Sequence, residues 1–380
     1  MQKKIILFVV SVAVILFGFL IYRHKAVTPI STIQLVKPII NVGASLPLSG
    51  PSASIGERVK TGFNIAVEEV NKEYPFTIKL IYEDDKGNST TAVSVANKLI
   101  SVDGVKIIVG EVKSDPLLAI APITEVNKIL VFSATAGAES ISQAGDYVFR
   151  NIEKPIAHGE GMADFLVSKN IKKIAIFSAQ ASNAKGYAKH LREQFEKRAG
   201  VIVYSVDYNQ DQTDFRTEIA QTKQAGAEAI YIGVATAKDA ALVTKQAREL
   251  KFVGLITVSV AADAKEFIDI AGSSAEGVVI TAAPFDKDNP SNLDYATKYK
   301  TLTGSDSDGF AANGYDAIKL IGLAISNCNN TDNNTACLRD YLYGVKDYKG
   351  AGGTLIFDSN GDVLKPVMLK IVREGKFVKY

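Results

Sequence analysis

The chain has 380 residues, with 43 Lys and Arg against 41 Asp and Glu, a formal net charge of +2, and 47% hydrophobic and 22% charged residues. This is the composition of a folded chain long enough for two domains, and it argues against disorder. The balanced charge leaves no clustered basic excess of the kind a nucleic-acid surface needs, so no nucleic-acid partner is expected. Tryptophan is absent and tyrosine numbers 15, so any aromatic pocket wall has to come from Tyr or Phe.

Lys3 and Lys4 precede an uninterrupted apolar run over residues 5–22. A run of about 18 residues sits at the lower limit for crossing a bilayer and is long for a signal-peptide core. No small-x-small cleavage site follows directly and no Cys lies near its end, which excludes lipoprotein processing. The reading is an N-terminal transmembrane helix, with a cleaved signal as the alternative; in both the body is exported. Residues 27–38 then form a short tether.

Beyond the tether, β-branched runs at residues 40–46, 77–82, 105–109 and 129–132 alternate with helical patterns at 58–72, 90–100 and 116–127. A second series follows, with strands at 173–177, 201–206, 229–232 and 254–258 and helices at 186–199, 215–225 and 237–250. Alternation of this length predicts right-handed βαβ units and an α/β fold of two doubly wound parallel-sheet lobes, joined near residues 149–155. A strand at 277–282, a turn-rich stretch, helices at 294–301 and 310–327, and a β-like pair at 353–357 and 366–372 complete the chain. The turn signal at residues 358–362 predicts that this last pair is joined directly.

Nucleotide and hydrolase signatures are missing. No Gly-x-Gly-x-x-Gly or Gly-x-x-x-x-Gly-Lys-Ser/Thr pattern opens a helix, and no Ser or Cys sits in a Gly-flanked elbow, so neither a cofactor nor enzymatic activity is expected. Asp84 and Asp85, beside Lys86, Gly87 and Asn88, read as a solvated turn, because neighbours on an extended segment point to opposite faces. His158 and Glu160 could form half of an acid/base set but lack a nucleophile. Cys328 and Cys337 flank a polar segment and would staple a loop between two helices in an oxidising compartment. His24, His158 and His190 have no ligand spacing to these thiols, so no metal site is expected.

What remains is a set of small polar loops at the carboxyl ends of strands in both halves: residues 48–56, 110–115, 133–138, 179–186, 233–236 and 259–263. Facing one cleft, they would supply convergent hydrogen-bond donors for a small molecule. In the first of them an apolar strand breaks into LPLSGPSASIG, where Ser49, Ser52 and Ser54 supply hydroxyls just ahead of a helix. This opening resembles that of the type I periplasmic binding proteins, the leucine/isoleucine/valine-binding family of branched-chain amino acid ABC importers. The likeness covers residue 39 to the C-terminus.

The resemblance implies a hinge with three crossovers, near residues 150, 283 and 355. It divides the chain into an anchor and tether (1–38), lobe 1 (39–151), lobe 2 (152–282), a return to lobe 1 (283–352) and a C-terminal crossover segment shared with lobe 2 (353–380). It also implies a small-molecule ligand, a membrane ABC permease as partner and a monomeric, extracytoplasmic protein. Ser114, in GEVKSDP, matches the serine that binds the ligand carboxylate. The loop at residues 133–137 matches the family's Ser-Pro-Gly-Ala-Thr, keeping Ala136, placing Gly137 at the threonine and offering Thr135 as its substitute.

Ile55 falls at the first-loop aromatic, Asn183 at the second-lobe tyrosine, and Ala235 or Thr236 at the next tyrosine. Phe310 retains an apolar wall. The acid that pairs with a ligand ammonium would lie near Ser259 or Val260, where none stands, with Asp263 the nearest candidate. Leucine, isoleucine and valine are therefore expected to bind poorly. A ligand-sensing domain without transport, and an enzyme on the same scaffold, are the alternatives.

Overall fold

The computed structural model describes residues 37–285 and 292–380, together with residues 13, 14, 18 and 19. Apart from those four residues, the proposed membrane or signal helix at residues 5–22 lies outside the described residues, as do most of the tether and part of the turn-rich stretch after residue 285. Among the described residues no helix is long and apolar enough to cross a membrane.

The first lobe runs β1 (Ile39–Leu46), α1 (Ala53–Glu73), β2 (Thr77–Asp84), α2 (Ser89–Ser101), β3 (Ile107–Gly110), α3 (Ser114–Val126), β4 (Leu130–Ser133) and β5 (Val148–Arg150). Its five strands pair in parallel in the order β2-β1-β3-β4-β5. Every residue of β3 and β4 is buried, as expected of central strands covered on both faces. In β1 the residues alternate: Ile40, Val42, Ala44 and Leu46 join the core under α1, while Gly43 faces Leu99 of α2 on the opposite side.

The second lobe runs α4 (Pro155–Ser168), β6 (Lys173–Ala179), α5 (Ser182–Lys197), β7 (Val201–Tyr208), α6 (Arg216–Gln224), β8 (Ala229–Gly233), α7 (Ala237–Glu249), β9 (Leu255–Val258), α8 (Lys265–Ala271) and β10 (Val279–Ala282). The chain then forms α9 (Leu293–Thr303), α10 (Gly309–Asn327) and α11 (Thr335–Tyr343), a small hairpin of β11 (Tyr348–Gly350) and β12 (Gly353–Leu355), and finally β13 (Met368–Arg373) and β14 (Lys376–Lys379). The second sheet has seven strands in the order β14-β13-β10-β9-β8-β6-β7. Strands β6 to β10 are parallel, and β13 and β14 add an antiparallel edge that the expectation of purely parallel sheets did not include.

Helix α10 returns to the first lobe and packs closely along α1. A Cβ at Gly62 would lie 2.1 Å from the Ala311 carbonyl oxygen, and one at Gly314 would lie 2.8 Å from that of Val59. Only glycine permits this approach. Cys328, just past α10, and Cys337, in α11, form a disulfide with their Cα atoms 6.0 Å apart.

Several elements differ from the sequence reading. The stretches around 353–357 and 366–372 are not partners: β12 pairs with β11, β13 joins the second sheet beside β10, and the turn between them closes only the bridge Phe357 to Val363. The local turn signal was real, but the strands' partners are set by distant residues. Helix α3 begins at Ser114 rather than 116, because proline is tolerated in a first turn, where its missing N–H has no partner to lose. Helix α1 begins at Ala53, which places Ile55 on its first turn. Asp85 is not solvated; it is buried, accepting from Ser45 Oγ at 3.3 Å. His158 is buried and Glu160 exposed on α4, so the two do not form an acid/base pair.

The passages between lobes are tied to one another. Buried Arg150 pairs through Nε with Asp362 Oδ1 at 2.6 Å, Lys154 reaches Asp358 at 2.6 Å and Asp362 at 3.1 Å, and Lys365 faces Glu153 at 3.8 Å. Burial lowers the pKa of His158 to about 3, so its imidazole is neutral where Nδ1 meets Thr281 Oγ1 at 2.9 Å.

Candidate ligand site between the lobes

The loops at the carboxyl ends of both sheets converge on one cleft. Its wall from the first lobe includes Ser52, Ile55, Lys113, Ser114, Asp115 and Thr135, and from the second Asn183, Tyr187, Ala235, Val260 and Ala261, with Phe310 contributed by α10. Open α/β folds place ligands here because the strand ends carry free loops and helix N-termini.

Each first-lobe loop is held by bonds written into its own sequence. Asp84 accepts from the backbone N–H of Leu48 at 2.9 Å and from Ser49 Oγ at 2.6 Å, which fixes the turn into α1. Glu111 adopts φ of +50°, and its N–H donates to the Ser45 carbonyl at 2.8 Å, turning the chain sharply out of β3 toward Ser114. Burial pushes the Glu111 carboxyl up to about 8, with the charge of neighbouring Asp85 adding to it, and neither oxygen has a hydrogen-bond partner among the described residues.

Ser114 is the first residue of α3, and its Oγ accepts the Ala138 N–H at 3.0 Å. That bond uses a lone pair and leaves the hydroxyl proton free to donate into the cleft, beside the N–H groups of the first helical turn. Thr135 Oγ1 is instead committed as a donor to the Val112 carbonyl at 2.9 Å. The guanidinium of Arg150 holds the same loop from behind, reaching the Ala138 carbonyl at 2.5 Å and the Ala136 carbonyl at 3.3 Å.

The residues singled out from sequence divide accordingly. Ile55, Ser114, Thr135, Asn183 and Phe310 come together in the wall. Ala136 is buried in the first-lobe core, and Thr236 caps α7, its Oγ1 accepting the Asp239 N–H at 3.4 Å, while Ala235 takes the wall position. At Gly137 an added Cβ would stand 2.4 Å from the Tyr187 hydroxyl, so a threonine there would collide with that ring. Asp263 is not in the wall: its carboxylate accepts Lys370 Nζ at 2.7 Å.

Tyr187, Lys113 and Asp115 are among the wall residues that escaped the sequence reading. Tyr187 immediately follows Gly186, within reach of a search that allowed the family tyrosine to shift past the glycine. Its ring stands edge-on to His158, with centroids 5.0 Å apart, and burial raises its pKa so that the hydroxyl stays protonated. Lys113 and Asp115 flank Ser114 directly, and nothing in their spacing distinguishes them from solvated loop charges.

The lobes touch across this cleft. Ser182 Oγ in the second lobe donates to the Asp115 carboxylate in the first, and Lys189 Nζ reaches Glu139 Oε2 at 3.1 Å. Arg58 Nη1 donates to the Asp263 carbonyl at 2.9 Å and to Asp308, while its guanidinium carbon lies 5.2 Å from the centroid of the Phe310 ring. Among the described residues no group of three or more His, Cys, Asp or Glu is placed to hold a metal ion.

Comparison with known proteins agrees with this architecture. A family model described as periplasmic binding protein matches residues 39–371. A Leu/Ile/Val-binding protein homolog of Brucella melitensis is 29% identical over 335 residues, covering 86% of this chain and 89% of that one. A binding protein for leucine, isoleucine, valine, threonine and alanine from Pseudomonas aeruginosa is 24% identical, covering 90% and 92%. The crystal structure of a leucine-binding protein from Thermotoga maritima superposes with a TM-score of 0.84 at 27% identity, covering 90% of this chain and 97% of that one. Two α/β lobes, a cleft at their strand ends and a match over nearly the whole folded body lead to one conclusion: the chain belongs to the periplasmic binding protein family, solute-binding proteins and not enzymes, in the type I branch that includes the leucine/isoleucine/valine-binding proteins.

Proposed function

We propose that this protein works outside the cytoplasm as the monomeric solute receptor of an ABC importer, capturing a small amino-acid-like or carboxylate ligand and presenting it to the membrane permease. The observation that carries this reading is Ser114: a hydroxyl with its proton uncommitted, at the start of a helix, in a cleft that both lobes line. An anion placed there gains a hydroxyl donor and the positive end of the α3 dipole. The opposing loops reach it only when the lobes close, so the ligand stabilises the closed form through contacts that the open form does not make. Lys3 and Lys4 ahead of the apolar run at residues 5–22 support export, with the run serving as signal or membrane anchor.

The test is a thermal-shift screen of amino acids and small carboxylates, followed by calorimetry on those that stabilise. A ligand at about one hundred times its Kd should add about 2.7 kcal/mol to the folded state. One-site binding with a more compact scattering profile in the bound form is the expected result. Catalytic turnover of a bound compound, or binding with no change in compactness, would refute the reading.

A further inference from the structure

Asn-x-Ser/Thr, the acceptor pattern for N-linked sugar in exported chains, occurs at residues 88–90, 329–331 and 333–335; a further match at 289–291 is disqualified by Pro290. Two of these sites fall inside the loop closed by the disulfide between Cys328 and Cys337, in the run NNTDNNT, which holds no apolar residue. We propose that Asn329 is a glycosylation site, its side-chain nitrogen carrying a sugar through the anomeric carbon. The proposal rests on the reading of this chain as an exported protein and adds a covalent modification to it.

The three sites differ in how the fold holds them. At residues 88–90 the tripeptide is fixed: Asn88 Oδ1 caps α2, accepting the N–H groups of Thr90 and Thr91 at 2.9 and 3.1 Å, and Ser89 and Thr90 already lie in the helix. At residues 333–335, Asn334 caps α11 by accepting the Cys337 N–H at 3.1 Å, and Thr335, whose hydroxyl a transferase has to read, is buried. Residues 329–331 carry neither restraint. Asn329 is exposed just beyond α10, in a turn with φ of +63°, and its side chain makes no hydrogen bond among the described residues. Thr331 Oγ1 accepts the Asn333 N–H at 3.2 Å through a lone pair, which leaves the hydroxyl proton free. In the proposed step Asn329 Nδ2 displaces the pyrophosphate of a lipid-linked oligosaccharide. The bond from nitrogen to the anomeric carbon forms, the bond from that carbon to the pyrophosphate oxygen breaks, the lipid pyrophosphate leaves with the electron pair, and the amide proton passes to a base of the transferase. The sugar stands clear of the ligand: Phe310 lines the cleft at one end of α10 and Asn329 follows the other, about 25 Å away along the axis at 1.5 Å per residue.

The test is peptide mapping by mass spectrometry of the full-length protein isolated from the cells that naturally make it. Trypsin releases residues 320–339, which contain the whole disulfide loop, and residues 87–98, which contain the Asn88 site. After reduction, the 320–339 peptide should appear with an added sugar mass that electron-transfer fragmentation places on Asn329, while the 87–98 peptide stays bare. In variants produced in the same cells, Asn329→Gln and Thr331→Ala should each remove that mass, Thr331→Ser should retain it and Asn333→Gln should leave it unchanged. The substituted side chains lie outside the buried core, so each variant should melt with the unglycosylated or glycosylated wild type it matches. A 320–339 peptide recovered only bare, sugar on Asn333 or Asn88 in place of Asn329, or sugar that survives Thr331→Ala overturns the proposal. Protease access to the chain in intact cells is measured alongside. A bare peptide from protein exposed outside the cytoplasm overturns the modification and leaves the solute-binding reading intact, whereas a bare peptide from protein confined inside overturns the modification and the export reading together.

Discussion

Replacing Ser114 with alanine tests the ligand site most directly, because the structure separates the two roles of this hydroxyl. One is structural: Oγ accepts the Ala138 N–H at 3.0 Å and helps position the loop that follows β4. The other, under the proposed function, is a free proton that would donate to a ligand carboxylate. A hydrogen bond to a charged group contributes about 1.5 to 3 kcal/mol, so losing it weakens binding by about 10- to 150-fold. Arg150 still holds the Ala136 and Ala138 carbonyls, so the loop keeps its place and the variant folds. Thr135→Ala is the internal control: that hydroxyl already donates to the Val112 carbonyl, so its loss acts on the loop and costs less affinity than Ser114→Ala. Calorimetry of both variants with whichever ligand the screen finds decides the matter. Equal affinity in Ser114→Ala and wild type, with melting temperature unchanged, would show that the carboxylate does not sit at the α3 terminus.

Arg58→Gln removes the contact that ties α1 to the Asp263 carbonyl of the second lobe, so ligand dissociation should accelerate by about tenfold with little change in association; stopped-flow kinetics showing only a slower association would refute the closing role. Reduction of the disulfide between Cys328 and Cys337 should cost about 2 to 3 kcal/mol in the chain-entropy model, read from denaturant melts, without altering ligand affinity. Glu111 has its folded-state pKa raised to about 8, above the ordinary 4.5, so the folded protein holds a proton the unfolded chain has released. Its contribution is therefore full at low pH and is lost as pH rises toward 8, with a slope of at most about 1.4 kcal/mol per pH unit. Between pH 6.5 and 8, where neutral His158 adds little, Glu111→Gln should flatten the fall in melting temperature; parallel curves for variant and wild type would show that Glu111 does not carry that proton.

Read without coordinates, residues 40–132 and 173–258 already disclosed their strands and helices, because β-branched runs and amphipathic periods are local properties that each segment carries alone. The polar loops were legible for the same reason, and the family resemblance then pointed to Ser114, Ile55, Asn183 and Phe310. Partnership was not legible. Arg150 meets Asp362 across 212 positions and Asp263 is neutralised by Lys370 across 107, so which charges are free is decided by chain passages that no local window contains. Side-chain direction was hidden as well: successive residues of a helix point about 100° apart, and only the packing of α3 against the second lobe brings Lys113 and Asp115 to the cleft with Ser114. Tyr187 turned into the wall for the same reason. Local chemistry therefore specified the elements and the polarity of the loops, while tertiary packing decided which of their charges remain unpaired and face a ligand.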